Sequence, residues 1–282
     1  MNIFAMNDEL NSLKETLAER FGKINFQPPV SNPLLQSIAG RSSCRSFADK
    51  PVDRALLEML CALAMASPSK SDLQQRDIVI VQDRALREEI NQLFDESSWI
   101  ADASVLLVFC GNNRRQRQFS DWHKKPFPND HLDAFFNAAV DAGIALSTFV
   151  TAAESVGMGC CPISEIRNHC DAISEKLRLP QHVFPVAGLG LGWPEESKPI
   201  SMRLPLSVTV HQDEFNETNV QASVDEYNQH RSEQQPYAGQ REVERFGETQ
   251  DYGWSEDKAR QYSVAQRTDF GSFIRSKGFV LD

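Results

Sequence analysis

At 282 residues the chain is long enough to bury a sizeable core, and its length suits about one or two domains. Lysine and arginine total 29 against 39 aspartates and glutamates, and the resulting net charge of -10 opposes broad attraction to nucleic acid or anionic lipid. Cys44, Cys61, Cys110, Cys160, Cys161 and Cys170 form no CxxC pair and no zinc-ligand spacing, and the histidines are scattered, so no metal centre is expected.

The opening MNIFAMNDELNSLKETLAERFG has no basic region followed by an apolar one. It reads as an amphipathic helix with Leu10, Leu13, Leu17 and Phe21 on one face. No apolar run is judged long enough to cross a bilayer, so a cytoplasmic protein without a membrane partner is expected. The proline-rich connector NFQPPVSNP leads into PLLQSIAG, a short helix stopped by Gly40. In PVDRALLEMLCALAMASPS, Asp53 can cap a helix whose Leu56, Leu57, Leu60, Leu63 and Ala64 recur at helical spacing, and Pro68 ends it. DIVIVQD and ASVLLVFCGN are β-rich runs separated by the helical RALREEINQLF, the second apolar on both faces like a central strand.

Residues 132–157 have the length and composition of a long buried helix, in which Ala138, Ala139, Ala142, Gly143 and Ala145 permit close approach of another helix, within the core or across a dimer. MGCCPISEIRNHCDAISEKLRLP reads as a turn feeding a further helix that stops before Pro180. VFPVAGLGLGWP and LPLSVTVH complete the strand-forming runs. From 212 to 262 the composition turns polar, with spaced aromatics such as Phe215, Tyr227, Tyr237, Tyr252 and Trp254. Such a segment cannot build its own core and is expected to pack on the main body or on a second subunit. The order of elements predicts an α+β protein divided into an N-terminal helix and linker (1–32), a core (33–211) and a C-terminal excursion and tail (212–282).

Two stretches carry candidate chemistry. In GRSSCRSFADKPV, Arg41 and Arg45 bracket Ser42, Ser43 and Cys44. Guanidinium forks and hydroxyls suit a phosphate, and a polar loop capping the next helix is an equally good reading. Cys44 lies beside two cations that favour a thiolate, but a packed structural thiol is the better reading. SPSKSDLQ gathers Ser69, Lys70, Ser71 and Gln74, either as an ordinary capping loop or as polar partners for a ring edge. The glycines of GLGLGWP do not make a dinucleotide fingerprint, because Pro194 follows where a helix would have to open; a buried strand with close backbone approach fits better.

Taken in order, RSSCRSF, SPSKSDLQ, ESVGMGCCPISEIR, GLGLGWP and MRLPL resemble the FMN-dependent nitroreductase superfamily from about residue 33 to 211. The likeness is strongest to its NADPH-dependent nitroreductase and flavin reductase branch with a long C-terminal excursion, which the ending FIRSKGFVLD also resembles. The resemblance implies a nitroreductase-like α+β fold, with a central, mostly antiparallel sheet flanked by helices, in a domain-swapped homodimer with FMN at the interface.

By the same resemblance Arg41, Ser42, Ser43 and Arg45 grip the phosphate and ribityl chain, and Arg203 is a phosphate-binding arginine. Ser69, Lys70, Ser71 and Gln74 reach the flavin from the other subunit. Pro162, Ile163, Ser164 and Glu165 match the turn behind the isoalloxazine, with the N–H of Ser164 toward N5 and that of Glu165 toward O4, donors placed to stabilise charge as hydride arrives. No side chain need act as acid or base. The implied reaction is NAD(P)H oxidation by a ping-pong route, with nitroaromatics, quinones, flavins or oxidised metal ions as acceptors. Same-fold alternatives are dehalogenation, flavin fragmentation or a non-enzymatic flavin-binding redox sensor. Preference for NADPH over NADH is assigned to Arg241 and Arg245 in QREVERF, whose spacing of four puts both on one helical face. Departures from the family pattern are Ser201 where lysine is common, with Lys198 three residues earlier, and Lys70, Asp72 and Glu165 where serine, asparagine and glycine are common.

Overall fold

The computed structural model describes residues 3–94, 99–196 and 199–282; Lys198 lies outside the described residues. In chain order the helices are α1 (Ile3–Phe21), α2 (Pro33–Gly40), α3 (Arg54–Met65), α4 (Arg84–Asn91), α5 (Trp99–Asp102), α6 (Arg114–Trp122), α7 (Leu132–Ser155), α8 (Cys170–Lys176), α9 (Leu206–Thr209), α10 (Val220–Gln234), α11 (Val243–Phe246), α12 (Trp254–Tyr262) and α13 (Phe270–Ser276). The strands are β1 (Arg76–Val81), β2 (Val105–Asn112), β3 (Gly159–Ile163) and β4 (Val183–Gly192). Contacts group residues 43–198 with 267–282 in a sheet unit, and residues 1–42 with 199–266 in a helical unit.

In the sheet unit the four strands pair antiparallel in the order β1-β2-β4-β3. Every residue of β2 is buried, and its two faces feed two cores. Val105, Leu107 and Phe109 pack with Leu57 and Leu60 of α3 and Phe149 of α7, whereas Leu106, Val108 and Cys110 pack with Ile90 of α4 and Ile173 of α8. The period of two sends alternate side chains to opposite layers, so a central strand with helices on both sides must be apolar throughout. Asp53 caps α3 by accepting from the N–H groups of Ala55 and Leu56 at 2.8 and 3.1 Å.

Helix α7 is the core helix. It buries Ala138, Ala142, Ala145 and Phe149, and packs on α3 and β2. Ala139 is partly buried, while a Cβ on Gly143 would face open space, so the small residues serve packing within the unit unevenly. Contrary to the expectation from hydropathy, α7 is long and apolar enough by length and composition to cross a membrane. Its buried Asp141 and its packing on the sheet account for that composition as a core helix.

One strand assignment is corrected. The fourth strand is β3, within the run read as a turn, and LPLSVTVH is not a strand: Leu206–Thr209 forms the single helical turn α9. β3 pairs only with β4, so its exposed Pro162 sits on an edge where the missing N–H is tolerated. In LPLSVTVH no residue from Leu204 to Val210 is buried, and alternation without a face to bury does not make a strand.

In the helical unit Leu13 of α1 is buried, and Leu10, Leu17 and Phe21 are partly so, as the amphipathic pattern predicts. The polar 212–262 segment is held by aromatic pairs and a charged network. Tyr227 meets Trp254 and Tyr237 meets Tyr252 edge to face, with centroids 5.6 and 5.7 Å apart. Asp257, buried, pairs with Lys258 at 2.7 Å and Arg241 at 3.1 Å, and accepts from the Tyr252 hydroxyl at 2.9 Å. Burial pushes the Asp257 carboxyl up, but these hydrogen bonds and cations prevail and hold it below the usual carboxylate range.

Candidate active site

Arg20, in the last turn of α1, organises a cavity of about 760 Å³ in the helical unit. Its buried guanidinium donates to the carbonyls of Ala39 (2.8 Å), Ser201 (3.0 Å) and Arg41 (2.5 Å), and its own carbonyl accepts from the Arg203 N–H at 2.7 Å. One side chain therefore ties the end of α2 to the 201–203 strand of loop, and so places Arg41 and Arg203 on the same cavity wall. Sequence reasoning missed Arg20, because an arginine in an amphipathic helix looks like a surface residue. Arg203 is exposed, with Nη1 donating to Ser201 Oγ at 2.8 Å. Arg231, Lys258, Tyr227, Tyr237 and Trp254 complete the wall. The buried Nε of Arg231 has no hydrogen-bond partner among the described residues, and its guanidinium carbon lies 5.3 Å from the Tyr237 ring centre. Cations over aromatic rings suit an anion attached to a flat, polarisable group.

Arg241 and Arg245 do not share a helical face. Glu242 is left-handed at φ 51°, α11 begins only at Val243, and the Arg241 side chain is turned to Asp257. Arg245 donates to the carbonyl of Ser263 at 3.0 Å. Neither lines the cavity that holds Arg41 and Arg203.

In the sheet unit, Arg45 lines a different cavity, with its guanidinium 5.8 Å from the Trp99 ring centre. Cys44 is buried against Phe47 and Ala103, with its backbone N–H donating to the Cys160 carbonyl at 3.0 Å; the structural reading of this thiol holds. Ser69, Lys70, Ser71 and Gln74 form one compact loop. Gln74 N–H donates to Ser69 Oγ at 3.1 Å, Gln74 Nε2 to Asp72 Oδ1 at 3.0 Å, and Lys70 Nζ pairs with Asp133 of α7 at 3.0 Å. The Lys70 hydrogen bond, helped by one from Asn137, holds the Asp133 carboxyl below its usual range. Pro162 and Ile163 end β3, and Ser164 and Glu165 open a 3-10 turn, Glu165–His169, in which the Ser164 carbonyl accepts from the Arg167 N–H. Arg167 in turn donates to the Val186 carbonyl at 2.6 Å and fastens the turn to β4.

Comparison with known proteins places this fold and these loops in a class. Residues 38–193 match the nitroreductase family, and residues 201–282 match the nitroreductase family, C-terminal domain. The chain is 31% identical to FMN reductase [NAD(P)H] of Bacillus subtilis over 254 residues, 89% of this chain and 99% of that protein. It is 34% identical to the oxygen-insensitive NADPH nitroreductase of Salmonella typhimurium over 187 residues, 65% of this chain and 75% of that one. Among solved structures it is similar to NfrA2 of B. megaterium, with TM-score 0.80, 27% identity, and coverage of 89% of this chain and 99% of the other. The chain belongs to the nitroreductase family, and it is an oxidoreductase.

Proposed function

We propose that this chain is an FMN-dependent NAD(P)H oxidoreductase acting on nitroaromatics, quinones or flavins, in the cytoplasm and as a homodimer. The observation that carries this reading is the cavity of about 760 Å³ in which Arg20 sets Arg41 and Arg203 side by side against aromatic walls. Its cations and its aromatic lining fit a ligand that joins a phosphate to a flat ring system. The chemistry that FMN brings when bound is a two-electron relay: hydride from a nicotinamide goes in, and reducing equivalents leave to a second acceptor.

The protein's own residues bind, orient and tune. Arg41, Ser42, Ser43 and Arg45 would take the phosphate and ribityl chain, with Arg203 a further phosphate-binding arginine. Ser69, Lys70, Ser71 and Gln74 contribute from the partner subunit's copy of the loop. Pro162, Ile163, Ser164 and Glu165 form the turn behind the ring, whose backbone N–H groups stabilise growing negative charge. Since Arg241 is turned to Asp257 and Lys258 pairs with the same carboxylate, the cavity cation Arg231 is better placed to favour NADPH over NADH through its additional phosphate. The segments 1–32, 33–211 and 212–282 then serve as arm, flavin-binding core and nicotinamide-selecting excursion.

The deciding experiment is the visible spectrum of the purified protein, followed by anaerobic titration with NADPH and with NADH. A yellow protein bleached by either is expected. A protein that stays colourless after FMN is added overturns the whole reading, and one that binds FMN yet resists bleaching overturns the reductase part.

A further inference from the structure

We propose that Asp141 is the positioning residue for the loop of Ser69–Gln74, an inference that rests on the reading of that loop as part of the flavin site. The loop tip is exposed from Lys70 to Gln74, and it stands on a buried base formed by Gln75, Arg76 and Asp141. Asp141 projects from the core helix α7 and is 0% exposed. One oxygen, Oδ1, accepts from the Lys70 N–H at 3.1 Å, and the other, Oδ2, accepts from the Gln75 N–H at 2.9 Å. A single carboxylate thus grips both ends of the tip.

Between those two amides the chain passes through three left-handed residues that are not glycine: Ser71 (φ 48°), Asp72 (φ 56°) and Gln74 (φ 52°). Such conformations persist where surrounding contacts over-determine them. Here the contacts come from below. Gln116 Nε2 donates to the Leu73 carbonyl at 2.5 Å, and Arg115 Nη2 to the Gln74 carbonyl at 2.6 Å. Arg76, 3% exposed, lies 3.7 Å from Asp141 Oδ2 and sends Nη2 to the carbonyls of Met65 and Ser67, both at 2.8 Å. The negative charge of Asp141 therefore balances a buried cation while its two acceptor atoms set the spacing of the loop ends. An asparagine cannot replace it: the amide has one acceptor oxygen, and its NH2 would meet the N–H of Lys70 in one orientation and, in the other, that of Gln75 with the Arg76 guanidinium beside it.

The test compares Asp141→Asn, the double variant Asp141→Asn with Arg76→Gln, Lys70→Ala, and Ile274→Ala as a buried-core variant in α13, outside the cluster that holds Ile163, all in the full-length chain. Each is titrated with FMN by flavin fluorescence, and the visible circular dichroism of the bound flavin, kcat and KM are recorded beside thermal stability. Asp141→Asn is expected to weaken FMN at least tenfold and to change the flavin dichroism. The double variant should recover part of the stability, because the unpaired cation is gone while the hydrogen bonds to Met65 and Ser67 are lost with it, without recovering FMN affinity. Ile274→Ala should lose stability with FMN affinity unchanged. FMN affinity and dichroism in Asp141→Asn that match the unsubstituted protein, or that fall only as far as in Ile274→Ala, overturn the inference. In that event Lys70→Ala separates the two claims: if it weakens FMN, only the role of Asp141 is lost, and if it too is silent, the loop's place in the flavin site is lost with it.

Discussion

Arg20 illustrates how much of the site rests on a residue with no chemistry of its own. Its guanidinium satisfies three carbonyls from two separate segments, and a charged donor to each is worth on the order of 1.5–3 kcal/mol when removed. Arg20→Ala should therefore destabilise the protein by about 3 kcal/mol or more, with Arg20→Lys recovering only part, since an ammonium lacks the planar fork. Urea unfolding checks this; a loss within about 0.5 kcal/mol, as for an ordinary surface site, would show that the three carbonyls find other donors. The cysteines make a second prediction. Burial pushes the thiols of Cys110 and Cys170 up to about 12, so both are almost wholly protonated at neutral pH. A chromogenic disulfide reagent should leave both unlabelled in the native protein and label them once guanidinium chloride is added. Rapid labelling of either in the native state would contradict the packing described. Arg41 was legible as a candidate phosphate ligand because cations among small polar residues carry a local signal, and Arg203 only through the family resemblance. Arg20, Asp141 and Arg76 carried none, because a buried charge is recognised by its partners, and these come from distant segments.

At the level of the element, β4 shows why its glycines belong to a strand. A Cβ on Gly192 would lie 2.7 Å from the Phe47 ring and 2.9 Å from Ser104 Oγ, closer than real Cβ atoms come. Gly192→Ala should cost about 1–3 kcal/mol as overpacking, measured by denaturant midpoint. Gly190→Ala, facing Trp99 and Ala103 at 3.2 and 3.3 Å, should cost less, and the reverse order would refute this account. The tail after α13 supplies a pH-dependent element. His182 N–H donates to the Lys277 carbonyl at 2.8 Å, its ring nitrogen Nε2 lies 3.0 Å from the Gly278 carbonyl, and its ring packs edge-on to Phe279. Burial, then the nearby Arg117, holds its imidazole below the ordinary value of 6.5. The unfolded chain thus takes up the proton at higher pH than the folded one. The contribution of His182 to stability is complete above about pH 6.5 and declines as pH falls through that value toward the lower folded one. His182→Gln should shrink the difference in melting temperature between about pH 7.5 and about pH 5.5. An undiminished difference would assign the acid sensitivity to other groups. The misreading of LPLSVTVH has a similar lesson at this scale: alternation predicts a strand only if a face is available to bury, and β3 was hidden because its five residues include a proline that only an edge accepts.

For the whole molecule the open question is the partner. In the sheet unit, Met59 and Leu63 of α3 and Phe136 and Val140 of α7 are exposed, Phe136 by 59%. Four large apolar side chains on two packed helices exceed what scattered surface residues explain, and an obligate dimer interface on the order of 2,000 Å² or more would cover them. Phe136→Glu with Val140→Glu should shift the sedimentation of the protein toward the monomer and lower its thermal stability at low concentration. A folded, FMN-saturated monomer of the unsubstituted chain at micromolar concentration would reject the dimer outright.

The sequence alone determined what depends on short-range pattern. The cap and periodicity of α3, the stop of α2 at Gly40, the length and small-residue content of α7, the two-faced burial of β2 and the ordered loop motifs that mark the family are each written within about ten to twenty-five neighbouring residues, the span over which helix and strand periods act. Tertiary structure decided the rest: which run became the edge strand, that QREVERF breaks at Glu242, and that Arg20 and Asp141 hold the two sets of candidate ligands in place. The physical reason is the same in each case. The free energy of a buried charge, an edge position or a left-handed turn is set by groups far away in the chain, and one-dimensional spacing does not record their approach.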